Sequence, residues 1–157
     1  MRVLPALFAA LVTFGPALAQ CPFTGLSAST YGQGCNPVFS SNPITLSGSL
    51  DLDACSLDIT VDGFGGCCNT FTAGRLLVLG DQPASVPLPQ FGAGCTLLVN
   101  PAVILFEPGA SIAEFSLPLS NALPPLTLYA QGSVLYFTTI GLTLDFALSE
   151  GTQVDLF

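Results

Sequence analysis

No stretch of ten or more residues in this chain keeps apolar side chains at helical spacing without meeting a Pro or a Gly. Proline removes a backbone donor and clashes inside a helix, and glycine costs backbone entropy there. Short runs of Leu, Val, Ile, Thr and Phe recur instead, bounded by Gly, Pro, Asn and Asp, which is the pattern of many short strands. The spacing predicts strands at residues 44–47 and 57–62. In the second, Leu57, Ile59 and Val61 face a core while Asp58, Thr60 and Asp62 face water. The apolar phase flips between Leu50-Asp51-Leu52-Asp53 and that strand. A period of two cannot change phase without a turn or bulge, so one is expected near Ala54. Residues 75–79 are almost wholly apolar and predict a central strand. Residues 86–89 carry alternate prolines, which cannot donate to a ladder, and belong at an edge. Further strands are expected at 96–99, 103–106, 112–117, 126–130, 134–138, 142–148 and 152–156. About ten short strands at hairpin spacing predict an all-β fold, a β-sandwich of mostly antiparallel strands rather than a barrel. Counting back in twos from Phe157 meets Asp155 and Gln153, so the last strand lacks the apolar row that an outer-membrane barrel presents to lipid.

The N-terminus has a different grammar. Met1-Arg2 is followed by an apolar run to Phe14, a break at Gly15-Pro16, and small residues at Ala17 and Ala19. That layout predicts a signal peptide over residues 1–19, cleaved before Gln20. The run is too short and interrupted to span about 30 Å of hydrocarbon. Leu18-Ala19-Gln20-Cys21 resembles a lipoprotein box, although Gln20 is larger than the residue expected before a lipidated cysteine. The expected organisation is a single β-sandwich domain over 20–157, with residues 20–42 a cysteine-bearing segment packed on it. The expected location is secreted, extracellular or at the cell surface, without membrane insertion. Past residue 19, Arg75 is the sole cation against ten carboxylates. Such an acidic surface does not attract phosphates, which argues against nucleic acid as a partner.

Cys21, Cys35, Cys55, Cys67, Cys68 and Cys95 make an even set, which with an export signal reads as disulfides. A zinc site would favour C-x-x-C or His spacings, and neither occurs. Six cysteines allow fifteen pairings. A bridge between the neighbours Cys67 and Cys68 is set aside as strained. One local repeat bears on the choice: Tyr31-Gly32-Gln33-Gly34-Cys35 returns as Phe91-Gly92-Ala93-Gly94-Cys95. The glycines permit tight backbone beside each cysteine, and the aromatic is placed to cover the sulfur. The repeat predicts a Cys35–Cys95 bridge. Proximity then predicts that Cys55 pairs with one of Cys67 and Cys68, and Cys21 with the other.

Several motifs in order carry a resemblance. Tyr31-Gly-Gln-Gly-Cys35 precedes Asn42-Pro43-Ile-Thr-Leu-Ser47. Val86-Pro-Leu-Pro89 and Gly92-Ala-Gly-Cys95-Thr-Leu-Leu-Val99 follow, then Leu117-Pro118-Leu119, Pro124-Pro-Leu-Thr-Leu-Tyr-Ala-Gln131 and Phe146-Ala-Leu-Ser149. The series resembles a group of uncharacterised secreted proteins of Planctomycetes. The resemblance implies a secreted β-rich domain and supplies no catalytic residue or ligand. Cys21, Cys55 and the Cys67-Cys68 pair depart from the shorter cysteine set of that group.

Catalytic constellations are scarce. The chain has no His and no Lys, which excludes Ser-His, Cys-His, Ser-Lys and Schiff-base chemistry. Glu107, Glu114, Glu150 and Asp145 are carboxylates of the kind that work in pairs on glycosides, but they read as solvated strand faces and turns. No enzyme activity and no cofactor are expected. Asp51, Asp53, Asp58 and Asp62 fall within twelve residues and are the calcium candidates, since calcium needs several oxygens at once; no D-x-D-x-D-G loop accompanies them. Sugar sites stack on exposed aromatics, and without Trp only Tyr31, Tyr129 and Tyr136 qualify; the last two sit in apolar strands and read as core. Arg75 suits an internal ion pair better than a ligand carboxylate. The expected function is therefore a structural, adhesive or interaction role toward an extracellular protein or glycan. The alternative is an extracellular carbohydrate- or calcium-binding module.

Overall fold

In the computed structural model, residues 21–35, 42–63, 70–92, 94–109, 111–139 and 143–157 are described, and they are all-β. The strands are β1 (Leu26–Tyr31), β2 (Thr45–Asp51), β3 (Ser56–Asp62), β4 (Thr70–Gly80), β5 (Pro83–Pro87), β6 (Thr96–Val99), β7 (Val103–Pro108), β8 (Ala113–Pro118), β9 (Leu126–Thr138) and β10 (Thr143–Leu156), with one 3-10 turn at Pro89–Phe91. They pair antiparallel throughout. A five-stranded sheet runs β1-β10-β9-β4-β7, a three-stranded sheet β2-β3-β8, and β5-β6 form a separate pair.

Alternation builds the core. Leu57, Ile59 and Val61 of β3 are buried together with Ala113 and Phe115 of β8. They face Leu77 and Leu79 of β4, Ala130, Val134 and Tyr136 of β9, and Ala147, Val154 and Leu156 of β10. The two sheets thus share one core, as in a sandwich, and each fully buried side chain of Leu size contributes about 1.5–3 kcal/mol. The phase flip near Ala54 is a hairpin turn. Leu50 pairs with Leu57 and Asp51 with Ser56, and the Asp51 carboxylate accepts the N–H groups of Asp53 and Ala54 at 2.9 Å each.

Four expectations are corrected. First, residues 26–31 form a strand, β1, where a packed segment without assigned strands was expected; it zips onto β10 from Leu26↔Leu156 to Tyr31↔Gly151. Second, 126–130 and 134–138 are one strand, β9, and the two last strands are one strand, β10, irregular between Leu148 and Gly151. Gln131, Gly132, Ser133 and Ser149 look like turn residues in sequence, yet all three polar side chains are buried. Third, Cys21 is bonded to Cys55, with Cα atoms 5.1 Å apart. Cys55 sits in the β2–β3 turn, while the glycine-rich segment starting at Gly63 leaves the opposite end of β3, seven residues and ~20 Å away. Proximity in sequence was therefore misleading; Cys67 and Cys68 lie outside the described residues, as does the signal segment. Fourth, the Tyr31 ring does not cap its cysteine. It lies against Gly151, where a Cβ would collide with the ring, and meets Tyr129 edge-on at 5.9 Å.

The second disulfide joins Cys35 to Cys95, Cα atoms 4.7 Å apart, the pairing predicted by the repeated loops. It pins β5-β6 onto the outer face of the five-stranded sheet as a partial third layer. Gly34 lets the chain approach: a Cβ there would meet the backbone of Leu148 and Ser149, against which Cys35 forms a bridge. Gln131 holds the layer from below. Its Oε1 accepts from Leu98 N–H at 2.9 Å, and its Nε2 donates to Thr96 O at 3.1 Å and Ser149 O at 2.9 Å. Tyr31 adds a bond from its hydroxyl to Leu98 O at 2.7 Å.

Candidate functional site

The calcium candidates do not converge. Asp51 is opposite Ser56 and Asp58 opposite Ser49, while Asp62 is opposite Thr45. Asp58 and Asp62 are four residues apart on one strand, ~13 Å, against ligand distances of about 2.3–2.6 Å for calcium. Asp51 is engaged with its own turn, and Asp53 lies in that turn. Among the described residues, no three Asp, Glu, Cys or His side chains are arranged to hold a metal ion.

The glycosidase-type carboxylates are likewise dispersed. Glu107 lies on β7 opposite Arg75, Glu114 on β8 opposite Thr60, and Glu150 in the irregular part of β10. Asp145 takes a hydrogen bond from the Tyr136 hydroxyl, and burial with that neighbouring carboxylate pushes the Tyr136 pKa up to about 12. Arg75 is buried at the inner face. Its Nη2 donates to Gly63 O at 2.7 Å and also to Ser111 O. Burial works against its charge, and Asp62 supports it. Arg75 therefore braces two segments of its own chain. Of the tyrosines, Tyr136 is in the core, and Tyr31 lies beneath β6 against Tyr129.

What the sequence reading missed is the outer face of the five-stranded sheet. Register puts Phe71, Phe137 and Leu144 side by side across β4, β9 and β10. Phe106 and Ile104 of β7 lie on the same face, opposite Leu76 and Val78, and the Phe106 ring covers Gly74, where a Cβ would collide with it. Exposure is 65 % at Phe71, 47 % at Phe137, 48 % at Leu144, 49 % at Phe106 and 59 % at Ile104. With about 150–250 Å² per aromatic side chain, five half-exposed groups present roughly 500 Å². A patch of that size lies within the range of about 300–600 Å² that the largest apolar patch on a monomer spans. The available signal was the near-continuous apolar composition of residues 76–79 and 103–106, which is how a strand covered on both faces reads. Here the third layer covers only part of the second face.

At the boundary of that layer lies an apolar groove of about 520 Å³, lined by Leu76, Val78, Leu135, Phe146 and Ser133 among others, with Leu88 and Phe91 on one side. Phe91 meets Phe146 edge-on, centroids 4.7 Å apart, and packs with Leu88 against the Cys35–Cys95 cluster. A second, more polar cleft of about 430 Å³ lies among Thr30, Gln33, Thr45, Ser149, Glu150 and neighbours.

No described helix is long and apolar enough to cross a membrane, and the two disulfides point to folding in an oxidising compartment. Compared with family models, curated proteins and solved structures, the chain matches none.

Proposed function

We propose that this chain is a secreted, non-enzymatic interaction domain that engages an apolar surface of another extracellular protein through the outer face of its five-stranded sheet. The observation that supports this is the row Phe71, Phe137 and Leu144, continued by Ile104 and Phe106, left in water on a sheet whose other face carries the main core. Side chains of this size left about half exposed forgo roughly 1 kcal/mol each relative to full burial, which a partner covering them would recover. A glycan fits this face poorly, because the row offers no hydroxyl or amide.

Cell-surface retention tests the reading. In producing cells, the Phe71→Ser, Phe137→Ser, Leu144→Ser triple variant is expected to shift from the envelope fraction to the medium by at least about tenfold, with unchanged circular dichroism. Equal retention of variant and wild type refutes the assignment of the contact surface.

A further inference from the structure

The five-stranded sheet ends at β7, and that edge is unguarded. A sheet edge offers a row of unpaired N–H and C=O groups, which natural proteins protect with charge, proline or polar side chains. On the other edges of the two main sheets, β1 presents Ser27 and Ser29, β2 presents Ser49 and Asp51, and β8 presents Glu114 and Pro118. β7 instead presents Val103-Ile104-Leu105-Phe106, and it pairs with β4 without interruption from Val103 to Pro108. Among the described residues, no strand pairs with its other side. Its side chains are uncovered on both faces. Val103, on the core side opposite Leu79, is 47 % exposed, and Ile104 and Phe106 on the outer face are 59 % and 49 % exposed. The Gly109 N–H donates to Ala73 O at 2.9 Å, which fixes the phase of the ladder. Antiparallel ladders alternate hydrogen-bonded and non-hydrogen-bonded pairs. The N–H and C=O groups of Val103, Leu105 and Glu107 therefore face β4, and those of Ile104 and Phe106 point away from the sheet.

The strand is complementary to itself. Its outward donors are the N–H groups of Ile104 and Phe106; Pro108 has no N–H, and the Ala102 N–H is taken by Leu79 O at 2.8 Å. An antiparallel second copy of β7 that sets Ile104 opposite Phe106 joins both donors of each strand to both acceptors of the other, about a two-fold axis. That register sets Leu105 against Leu105 of the second copy at the axis. It puts Ala102 and Pro108, which have no N–H to offer, opposite one another, and it faces Glu107 with Val103 rather than with another carboxylate. We propose that the chain is a homodimer joined edge to edge through β7, its two five-stranded sheets continuing as one across the axis. The closure is isologous, the commonest symmetry of oligomers, and it leaves neither β7 edge open. Residues opposite one another in a ladder point to the same face, so the apolar rows of the two copies meet at Ile104 and Phe106 on one continuous surface. The inference thus extends the proposed contact surface to a paired one, but it stands on the backbone edge and uses none of Phe71, Phe137 and Leu144. Two six-residue strands make a small interface, below about 1,200 Å² in total, which places the association in the micromolar range.

Sedimentation equilibrium of the full exported chain, from about 1 to about 200 μM, tests it together with cysteine cross-linking. Wild type is expected to rise from the monomer mass to twice that mass, with a dissociation constant of about 1–100 μM. Ile104→Lys puts a charge on the edge, as guarded edges do, and Phe106→Pro removes an outward donor that β4 does not use. Each is expected to weaken the dimer at least about tenfold with unchanged circular dichroism. Val103→Cys mixed with Glu107→Cys is expected to give a disulfide-linked dimer on mild oxidation, because those positions face one another as a non-hydrogen-bonded pair with Cα atoms about 4.5 Å apart. Mass spectrometry of the linked peptides identifies the 103–107 bond, and neither variant alone is expected to link position 103 to 103 or 107 to 107. A monomer throughout the concentration range, a dimer that Ile104→Lys and Phe106→Pro both leave intact, or linkage of Val103→Cys to itself overturns the proposal. The Phe71→Ser, Phe137→Ser, Leu144→Ser variant is expected to dimerise like wild type, which separates failure here from failure of the contact-surface reading.

Discussion

Consider removing the Cys35–Cys95 bridge with the double substitution Cys35→Ala, Cys95→Ala. The bridge spans 60 residues of sequence, and in the chain-entropy model a loop of that length contributes about 4 kcal/mol by restricting the unfolded chain. For a chain of this size, with an unfolding entropy of about 2.1 cal/mol/K per residue, that corresponds to a fall in Tm of roughly 14 °C. The structure adds a spatial expectation. The bridge fastens the β5-β6 layer, while the main core lies between the other two sheets and contains neither cysteine. Without the bridge, the layer is held by the two hydrogen bonds of Gln131 to Leu98 and Thr96, the one from Tyr31, and the packing of Phe91 on Phe146. We predict that the Cys95 and Leu98 amides lose hydrogen-exchange protection first, at denaturant concentrations where the Val61 and Val134 amides stay protected. Denaturant titration gives the global loss and exchange mass spectrometry gives its location. A stability loss below about 1 kcal/mol, or loss of protection that is uniform over both regions, refutes the reasoning that this bridge staples a third layer to an independent core.

Three further outcomes follow from particular residues. Gln131→Leu leaves Leu98 N–H, Thr96 O and Ser149 O without their buried partner, so a loss of about 2–4 kcal/mol is expected by denaturant titration; a neutral result would mean that β6 is not anchored there. Tyr136 has a folded pKa of about 12, above its ordinary value of about 10. The folded state favours the protonated phenol, so this stability is fully present below pH 10 and is lost as pH rises from 10 through 12, by about 3 kcal/mol. Rapid alkaline denaturation of wild type against Tyr136→Phe checks it, and identical pH slopes would sink it. Calcium and EDTA at matched ionic strength are expected to give the same Tm, because Asp51, Asp58 and Asp62 are too far apart to share one ion; a calcium-specific rise lost on Asp58→Asn would reverse that.

From sequence alone, strand type and much of the strand placement were legible, because both depend on nearest-neighbour rules. Period-two alternation marks β3, the prolines of Val86-Pro87-Leu88-Pro89 mark a strand paired on one side only, and the phase flip marks the turn at Ala54. The Cys35–Cys95 pairing was legible through the repeated loops. Other features depended on what lies across the space from a residue. Gln131, Ser133 and Ser149 are polar and resemble turn residues, but β6 and the irregular part of β10 enclose Gln131 and Ser149, and Leu76 and Leu148 flank Ser133, inside long strands. Cys21 finds Cys55 because the segment that leads into β1 and the β2–β3 turn meet in space, which no sequence spacing encodes. Phe71 and Leu144 of the open row stand between polar neighbours, Thr70 and Thr72, and Thr143 and Asp145, as a core-facing residue of a half-buried strand does, whereas Ile104 and Phe106 sit in a run that reads like a strand buried on both faces. Composition records that a strand can be covered twice; only the tertiary arrangement decides that the third layer stops short and leaves Phe71, Phe137 and Leu144 in water, because coverage is a property of neighbouring sheets and not of the strand itself.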